Sequence, residues 1–494
     1  MKKALVLFAW ITAAGCAVGP DFRAPVAPAV MTYTEQPLPL ETVSAPGVGG
    51  SAQRFASGRD IPDEWWGLFR SEPLDRLIRQ ALKESPTLAA AEAALRQARE
   101  NLRARGGTVT YPSVDGTLGV SRERTTGTSF GQPNADAGTF TLFNASVNVS
   151  YTLDLFGGGR RELEGLQADV DYKRFLLEGV HLALTSNVVT AAIQEASLRA
   201  QIKANHDIVE MYQKQLDIIR TKHELGGASR SDVLVQQTQL AQTQATLPPL
   251  EKELEKTRHQ LATYVGRFPG EGGLPEFQLE GMELPRELPV SVPSALVRRR
   301  PDVRASEELL HAASAGIGVA TANLFPRITL TGGLGTSALR TEDLFSNGTS
   351  LWSLGMGLLQ PLFHGGELTA RRRAAIAAYE QALAEYRDTV LHSFQNVADS
   401  LRFLEYDALT LRAQADAEAS ARDSLDLTRK QYRLGAVNYI ALLIAQRQYH
   451  QARVFLIQAR AARFADTAAL FQSLGGGWWN RDSKGATDPS EINP

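Results

Sequence analysis

Phe143-Asn-Ala-Ser-Val-Asn-Val-Ser-Tyr-Thr-Leu-Asp154 alternates without a break, apolar or small residues at odd positions and polar ones at even positions. Successive side chains of a β-strand point to opposite faces, so a period of two marks a strand with one apolar and one polar face. Just upstream, Val114, Gly116, Leu118 and Val120 oppose Asp115, Thr117, Gly119 and Ser121. Much farther along, Ile328, Leu330 and Leu334 share a face, and Trp352, Leu354, Met356 and Leu358 oppose Ser353, Gly355 and Gly357. The pattern predicts strands over about 109–123, 140–154, 327–337 and 351–362. At roughly 10 residues each they fit a membrane barrel with lipid outside and water inside. Taken singly, each fits a soluble sandwich strand equally well. Four strands cannot close a barrel, whereas three chains would supply twelve. The polar, Gly-rich stretches 122–139 and 338–350 read as exposed loops.

Between the strands lie unusually long helical runs. No proline occurs from Arg160 to Glu224, which at 1.5 Å per residue allows about 98 Å of helix. Leu198, Ile202, Asn205, Val209, Tyr212, Leu216 and Ile219 follow four-three spacing. So do Val397, Leu401, Leu404, Ala408, Leu411 and Ala415. These are coiled-coil seams, on helices predicted over 160–224 and 366–433.

The order helix, strand, loop, strand, long helix, tight turn, helix occurs twice. Pro86 and Pro301 open the copies, Leu225-Gly226 matches Leu434-Gly435, and Val265-Gly266 matches Leu474-Gly475. Copy one spans 73–270 and copy two 294–479, with a Pro-rich linker at 271–293. Pro248-Pro249 should kink or break the last helix of copy one, and copy two has no counterpart. Residues 17–62, rich in Pro, Gly, Ala and Ser, read as an extended strap within an N-terminal block at 16–72. A polar tail occupies 480–494.

The start of the chain reads as an export signal: Lys2 and Lys3, an apolar run from Ala4 to Ile11, then Ala13-Ala14-Gly15 before Cys16. The signal takes residues 1–15. Cys16 is the single cysteine, so no disulfide forms within one chain. No run of 18 apolar residues follows, which excludes a helical membrane protein past the signal. The formal net charge of -2 offers no basic face for nucleic acid. There is no His-Glu-x-x-His helix, phosphate loop or dinucleotide fingerprint, so nothing marks an enzyme. Gly157-Gly158-Gly159 lacks the Lys of a phosphate cradle and sits where a strand passes into a helix. No metal site or cofactor is expected from the scattered histidines and five methionines.

Several motifs resemble the TolC-like outer-membrane efflux family, in its lipoprotein (OprM/NodT-type) branch. They are Cys16-Ala-Val-Gly-Pro-Asp-Phe22, Arg300-Pro-Asp-Val303, Asn323-Leu-Phe-Pro326, Gln431-Tyr-Arg-Leu-Gly-Ala-Val-Asn-Tyr439, Ala445-Gln-Arg447 and Leu474-Gly-Gly-Gly-Trp478. The likeness covers essentially 16–479. It implies an α+β membrane protein: a homotrimer with a shared 12-strand barrel, four strands per chain, above a long helical periplasmic tunnel. Cys16 would carry N-acyl and diacylglycerol lipid in the outer membrane of a Gram-negative bacterium. The turns at Leu225, Gly226, Gly227 and at Leu434, Gly435 would form the periplasmic tip. There the family meets a periplasmic adaptor and, through it, an inner-membrane RND-type transporter. The implied function is the passive exit duct of a tripartite efflux pump, carrying small toxic compounds or drugs to the exterior. The alternatives are the duct of a type I protein secretion system and a structural coiled-coil lipoprotein.

Many relatives narrow the tunnel with a ring of aspartates on the copy-two helix. Those positions here are Ala441 and Ile444, and Arg447 matches a basic residue near the constriction. In copy one Asp232 matches the first acidic position. After Ser229 and Ser231, Asp232 equally suits a helix cap. Ile440 and Ile444, one turn apart, would form either an apolar constriction or ordinary coiled-coil core.

Overall fold

Alternation and four-three spacing become strands and helices largely where the sequence places them. The computed structural model describes residues 17–125 and 138–481. Cys16 and the signal, loop residues 126–137 and tail residues 482–494 lie outside the described residues. In chain order the elements are β1 (Arg54–Ser57), α1 (Glu72–Glu84), α2 (Pro86–Thr110), β2 (Ser113–Thr125), β3 (Gly138–Leu153) and α3 (Gly158–Glu224). There follow α4 (Arg230–Gln244), α5 (Leu247–Tyr264), β4 (Glu287–Val290), α6 (Pro293–Arg299), α7 (Pro301–Ala322), β5 (Arg327–Ala338) and β6 (Ser350–Leu359). The chain ends with α8 (Glu367–Arg433) and α9 (Tyr439–Ser473). Helix–strand–strand–helix therefore recurs, with α3 and α8 each 67 residues long. The described chain divides into two compact units. One holds residues up to 25, 94–174 and 305–387; the other holds 26–93, 175–304 and 388 onward.

The first unit is organised by an antiparallel sheet in the order β2-β3-β5-β6. Its register sets Val114, Val149, Gly332 and Leu354 in one row and Gly116, Val147, Leu334 and Trp352 in the next. The opposite face carries Asp115, Asn148, Gly333 and Ser353, then Thr117, Ser146 and Gly335. On that polar face the Thr117 and Ser146 hydroxyls hydrogen-bond at 2.8 Å, and Asn148 Nδ2 donates to Ser146 Oγ at 3.1 Å. The apolar face is left open among the described residues: Leu118 and Leu354 are each 83% exposed and Trp352 78%. Each strand hands over to a helix at one edge of the sheet. At that edge Asp154 accepts from the Gly159 and Arg160 amides at 3.1 and 2.9 Å, which caps α3. Gly157, at φ +75°, makes the turn. The triple glycine is thus junction geometry, as its lack of a lysine suggested.

The second unit holds a large core built around Trp65, Phe69, Val188, Leu401, Leu404, Phe464 and Phe471. Trp65 stacks on Phe471 at 5.4 Å. All six predicted seam residues of α8, from Val397 to Ala415, are buried. On α3 the seam drifts, burying Ile208 where Val209 was expected. The helix α3 also contains an 18-residue window apolar enough to cross a bilayer by composition alone, which the count of uninterrupted apolar residues missed. Leu184, Val188, Val189, Ala192 and Ile193 of that helix are buried in the second unit's core.

The structure corrects several boundaries. Val109 and Thr110 end α2, so β2 starts at Ser113; the Pro112 ring fixes the break. β6 stops at Leu359, just before Gln360-Pro361. The strap is partly core, because Gln53 and Ile61 are buried and β1 pairs in parallel with β4, which lies inside the presumed linker. Pro248 and Pro249 do break the last helix of copy one: α4 ends at Gln244, and α5 restarts at Leu247 with proline in its first turn. The equivalent α9 runs 35 residues unbroken.

Candidate functional site

Two places combine exposed chemistry with specific geometry: the two-faced sheet of the first unit and the pair of helix turns in the second.

Both turns close in the same way. Gly226 has φ +77°, and the Gly227 amide donates to the Lys222 carbonyl at 2.7 Å while that of Gly226 donates to His223 at 2.9 Å. In the other turn Gly435 has φ +75°; the Ala436 amide reaches the Gln431 carbonyl at 2.9 Å, and that of Gly435 reaches Tyr432 at 3.1 Å. This is the Schellman closure, which needs the left-handed conformation that glycine adopts without strain. Leu225 (81% exposed) and Leu434 (84%) project from the two turns into solvent.

The helices that restart after the turns are capped differently. Ser229 Oγ accepts from the Asp232 amide at 3.2 Å, and Asp232 Oδ2 accepts from the Ser229 amide at 3.0 Å. This reciprocal capping box occupies the Asp232 carboxylate locally. On α9, Asn438 Oδ1 alone caps, accepting from the Ala441 amide at 3.0 Å.

Ile440 and Ile444 are not core within the chain. They are 58% and 48% exposed, while Tyr439, Leu442, Leu443 and Ala445 fill the adjacent cluster. The exposed Arg447 lies on the same helical stripe, seven residues after Ile440. The structure therefore groups Ile440, Ile444 and Arg447 on one outward face and leaves Asp232 in a cap.

A polar bridge joins the hairpins, and the sequence reading did not single it out. The Tyr439 hydroxyl donates to Gln236 Oε1, and Gln236 Nε2 donates to the Tyr212 carbonyl at 2.9 Å. Burial pushes the Tyr439 phenol above its ordinary range, so it stays a neutral donor, and pushes that of Tyr212 up to about 12. A second node centres on Asn205, whose Oδ1 meets Thr246 Oγ1 at 2.9 Å and His450 Nε2 at 3.1 Å. Burial, with Arg453 nearby, lowers the His450 pKa. The available signal was a polar residue at a seam position, which Asn205 supplied.

The family model of outer membrane efflux proteins matches residues 77–267 and 292–476. The chain belongs to the outer membrane efflux protein family. Its relatives include the pyoverdine export outer membrane protein OpmQ of Pseudomonas aeruginosa, 33% identical over 454 residues, covering 90% of this chain and 93% of that protein. Another is the cation efflux system protein CusC of Escherichia coli, 26% identical, covering 94% of this chain and 96% of that protein. Among solved structures, the outer-membrane channel OprN superposes with a TM-score of 0.83 at 28% identity, covering 94% of this chain and all of that one. The matched segments hold both long helices and all four strands of the sheet. This is an efflux channel of the outer membrane, and its family is one of ducts, not enzymes.

Proposed function

We propose that the chain acts as a homotrimer, forming the passive exit duct of a tripartite pump for small toxic compounds or other small export cargo. The face division of the sheet carries this reading. Its apolar rows are uncovered among the described residues, its polar rows are hydroxyl- and amide-lined, and four strands cannot close a barrel. Twelve strands from three copies satisfy every edge and set the apolar rows against lipid. The exposed Leu225, Gly226, Gly227, Leu434 and Gly435 would meet a periplasmic adaptor, which connects to an inner-membrane RND-type transporter. Cys16 would carry the lipid anchor. Pyoverdine export by one relative and cation efflux by another bracket the cargo, and gene deletion tested against siderophores, solvents, antibiotics and metal ions would place it. Sensitisation to none, with loss of a secreted protein, would move the reading to protein secretion.

In this duct the stripe of Ile440 and Ile444 forms an apolar constriction, because threefold repetition of exposed isoleucines makes a ring that resists wetting. Single-channel recording tests both levels. Wild-type protein is expected to conduct as a trimer, and Ile444→Asp to shift an opened channel toward cations. A conducting Ile444→Asp channel with unchanged selectivity would remove Ile444 from the pore, and a monomeric, non-conducting protein would refute the duct.

A further inference from the structure

The outward face of β2 changes character abruptly. Val114, Leu118 and Val120 are exposed and apolar, and the next two residues on the same face are Arg122 and Arg124. Both arginines are exposed, and among the described residues neither has an ion-pair partner. The neighbouring strand changes at the same level. Arg122 lies opposite Thr141 and Arg124 opposite Thr139, whereas one step earlier Val120 lies opposite Phe143. Beyond Phe143 the alternation also inverts, since Phe140 and Leu142 now share the other face with Ser121 and Glu123. Ser121 Oγ donates to Glu123 Oε1 at 3.1 Å there, so Glu123, the acid of this strand end among the described residues, points away from the arginines.

The dimensions agree with a membrane boundary at this level. On the apolar face, β3 runs from Leu153 to Phe143, ten residue steps or about 34 Å along the strand. A barrel strand tilted by roughly 40° converts that to about 26 Å along the membrane normal, close to the apolar band of an outer-membrane barrel. Arg122 and Arg124 follow about 5 and 10 Å beyond, at headgroup depth. They stand at the edge away from the strand–helix junctions, which on the proposed function is the exterior.

We propose that Arg122 and Arg124, flanked by the Thr139 and Thr141 hydroxyls, form a site for the phosphoryl headgroup of an outer-leaflet glycolipid. This rests on the sheet spanning the membrane as proposed above. Two arginines on one face, two residues apart and so about 6.8 Å apart along the strand backbone, suit bidentate contacts to a phosphate or to two neighbouring ones. The hydroxyls add donors, and Phe143 with Val120 receives the first acyl carbons. A pair of cations beside an apolar band has no role in the water-filled interior, because its side chains point outward.

The test uses full-length protein and its Arg122→Gln/Arg124→Gln variant in phosphatidylcholine nanodiscs doped with bisphosphorylated lipid A, dephosphorylated lipid A or phosphatidylglycerol. Bound lipid is measured by native mass spectrometry. The variant is expected to bind bisphosphorylated lipid A about tenfold more weakly or worse. The difference should vanish with the dephosphorylated form. Equal lipid A binding by the two proteins overturns the site, and an equal loss with phosphatidylglycerol overturns its assignment to a glycolipid. Brominated acyl chains in the same discs should quench Trp352, with Trp352→Phe identifying that component. An unquenched Trp352 would refute the membrane-spanning sheet itself, a failure separate from that of the arginine site.

Discussion

Replacing Asp466 with asparagine should flatten the pH dependence of stability in the helical unit. Asp466, on α9, is half-buried and shares a hydrogen bond with the Asp407 carboxyl of α8. One turn away, Arg463 is fully buried, its Nη1 donating to the Leu404 carbonyl at 2.8 Å and its Nη2 to Thr42 Oγ1 at 3.2 Å. Burial first, then the neighbouring Asp407, pushes Asp466 from 3.8 up to about 8, with Arg463 opposing. A carboxyl raised on folding holds a proton that the unfolded chain has already released. Its stabilising contribution is complete below about pH 3.8 and is lost as pH rises toward 8. At about 1.4 kcal/mol per pH unit the ceiling is about 6 kcal/mol; solvent screening at a half-buried site reduces it to a few kcal/mol. The introduced amide keeps a hydrogen-bond donor and cannot ionise, so Asp466→Asn should match wild type only at or below about pH 3.8 and exceed it increasingly up to pH 9. Guanidinium unfolding followed by tryptophan fluorescence reads this core directly, since Trp65 stacks on Phe471. A variant with the wild-type slope between pH 5 and 9 would refute the shared-proton reasoning.

Glycine substitutions separate backbone strain from collision. Gly226→Ala and Gly435→Ala meet nothing within 4 Å, so each should cost only about 1–2 kcal/mol for the left-handed backbone, seen as faster amide exchange around its turn. Gly477→Ala has the same φ of +77° but sets its Cβ 2.5 Å from the Ile61 carbonyl oxygen, so its loss in thermal melting should be clearly larger. Arg161 is buried and binds Asp21 Oδ1 at 2.6 Å, the Val18 carbonyl at 3.3 Å and Glu164 Oε2 at 2.7 Å. Arg161→Ala should free residues 18–22 and speed tryptic cleavage after Arg23 at least tenfold; an unchanged rate would show that the segment is held elsewhere.

Much of the fold was legible because two periodicities carry it. Strand faces followed from residues such as Val147 and Asn148, neighbours in sequence that stand on opposite sides of the sheet, and the α8 seam followed from four-three spacing alone. What escaped notice depends on contacts distant in sequence. β1 and β4 are four residues each, too short for a pattern, and they pair across 233 positions from Arg54 to Glu287. Gln53 looked like strap, yet its Nε2 donates to the Pro285 carbonyl at 3.0 Å and to Thr467 Oγ1 at 3.2 Å. The site was legible only in part. Spacing placed Ile440 and Ile444 on one face but could not say which face the chain buries; Leu442 and Leu443 took the core instead.

The contrast between Asp232 and Ala441 shows how a local requirement can account for a charge before a pore is invoked. The two positions are equivalent, 209 residues apart, each three residues after the cap. Serine at 229 has a short hydroxyl that satisfies one free amide, and its own backbone amide stays open until Asp232 turns back to accept from it. Asparagine at 438 is itself a strong cap, and its carbonyl oxygen reaches the Ala441 amide without help. An acid at the third position thus has work to do in the first copy that the second copy does not require. Removing it by Asp232→Ala should cost about 1 kcal/mol of local helix stability. With no acid at 441 or 444 either, the outward stripe of Ile440, Ile444 and Arg447 carries no negative charge. In the duct proposed above, resistance to ions at that level would then come from apolar side chains that water leaves, and from a cation that repels other cations.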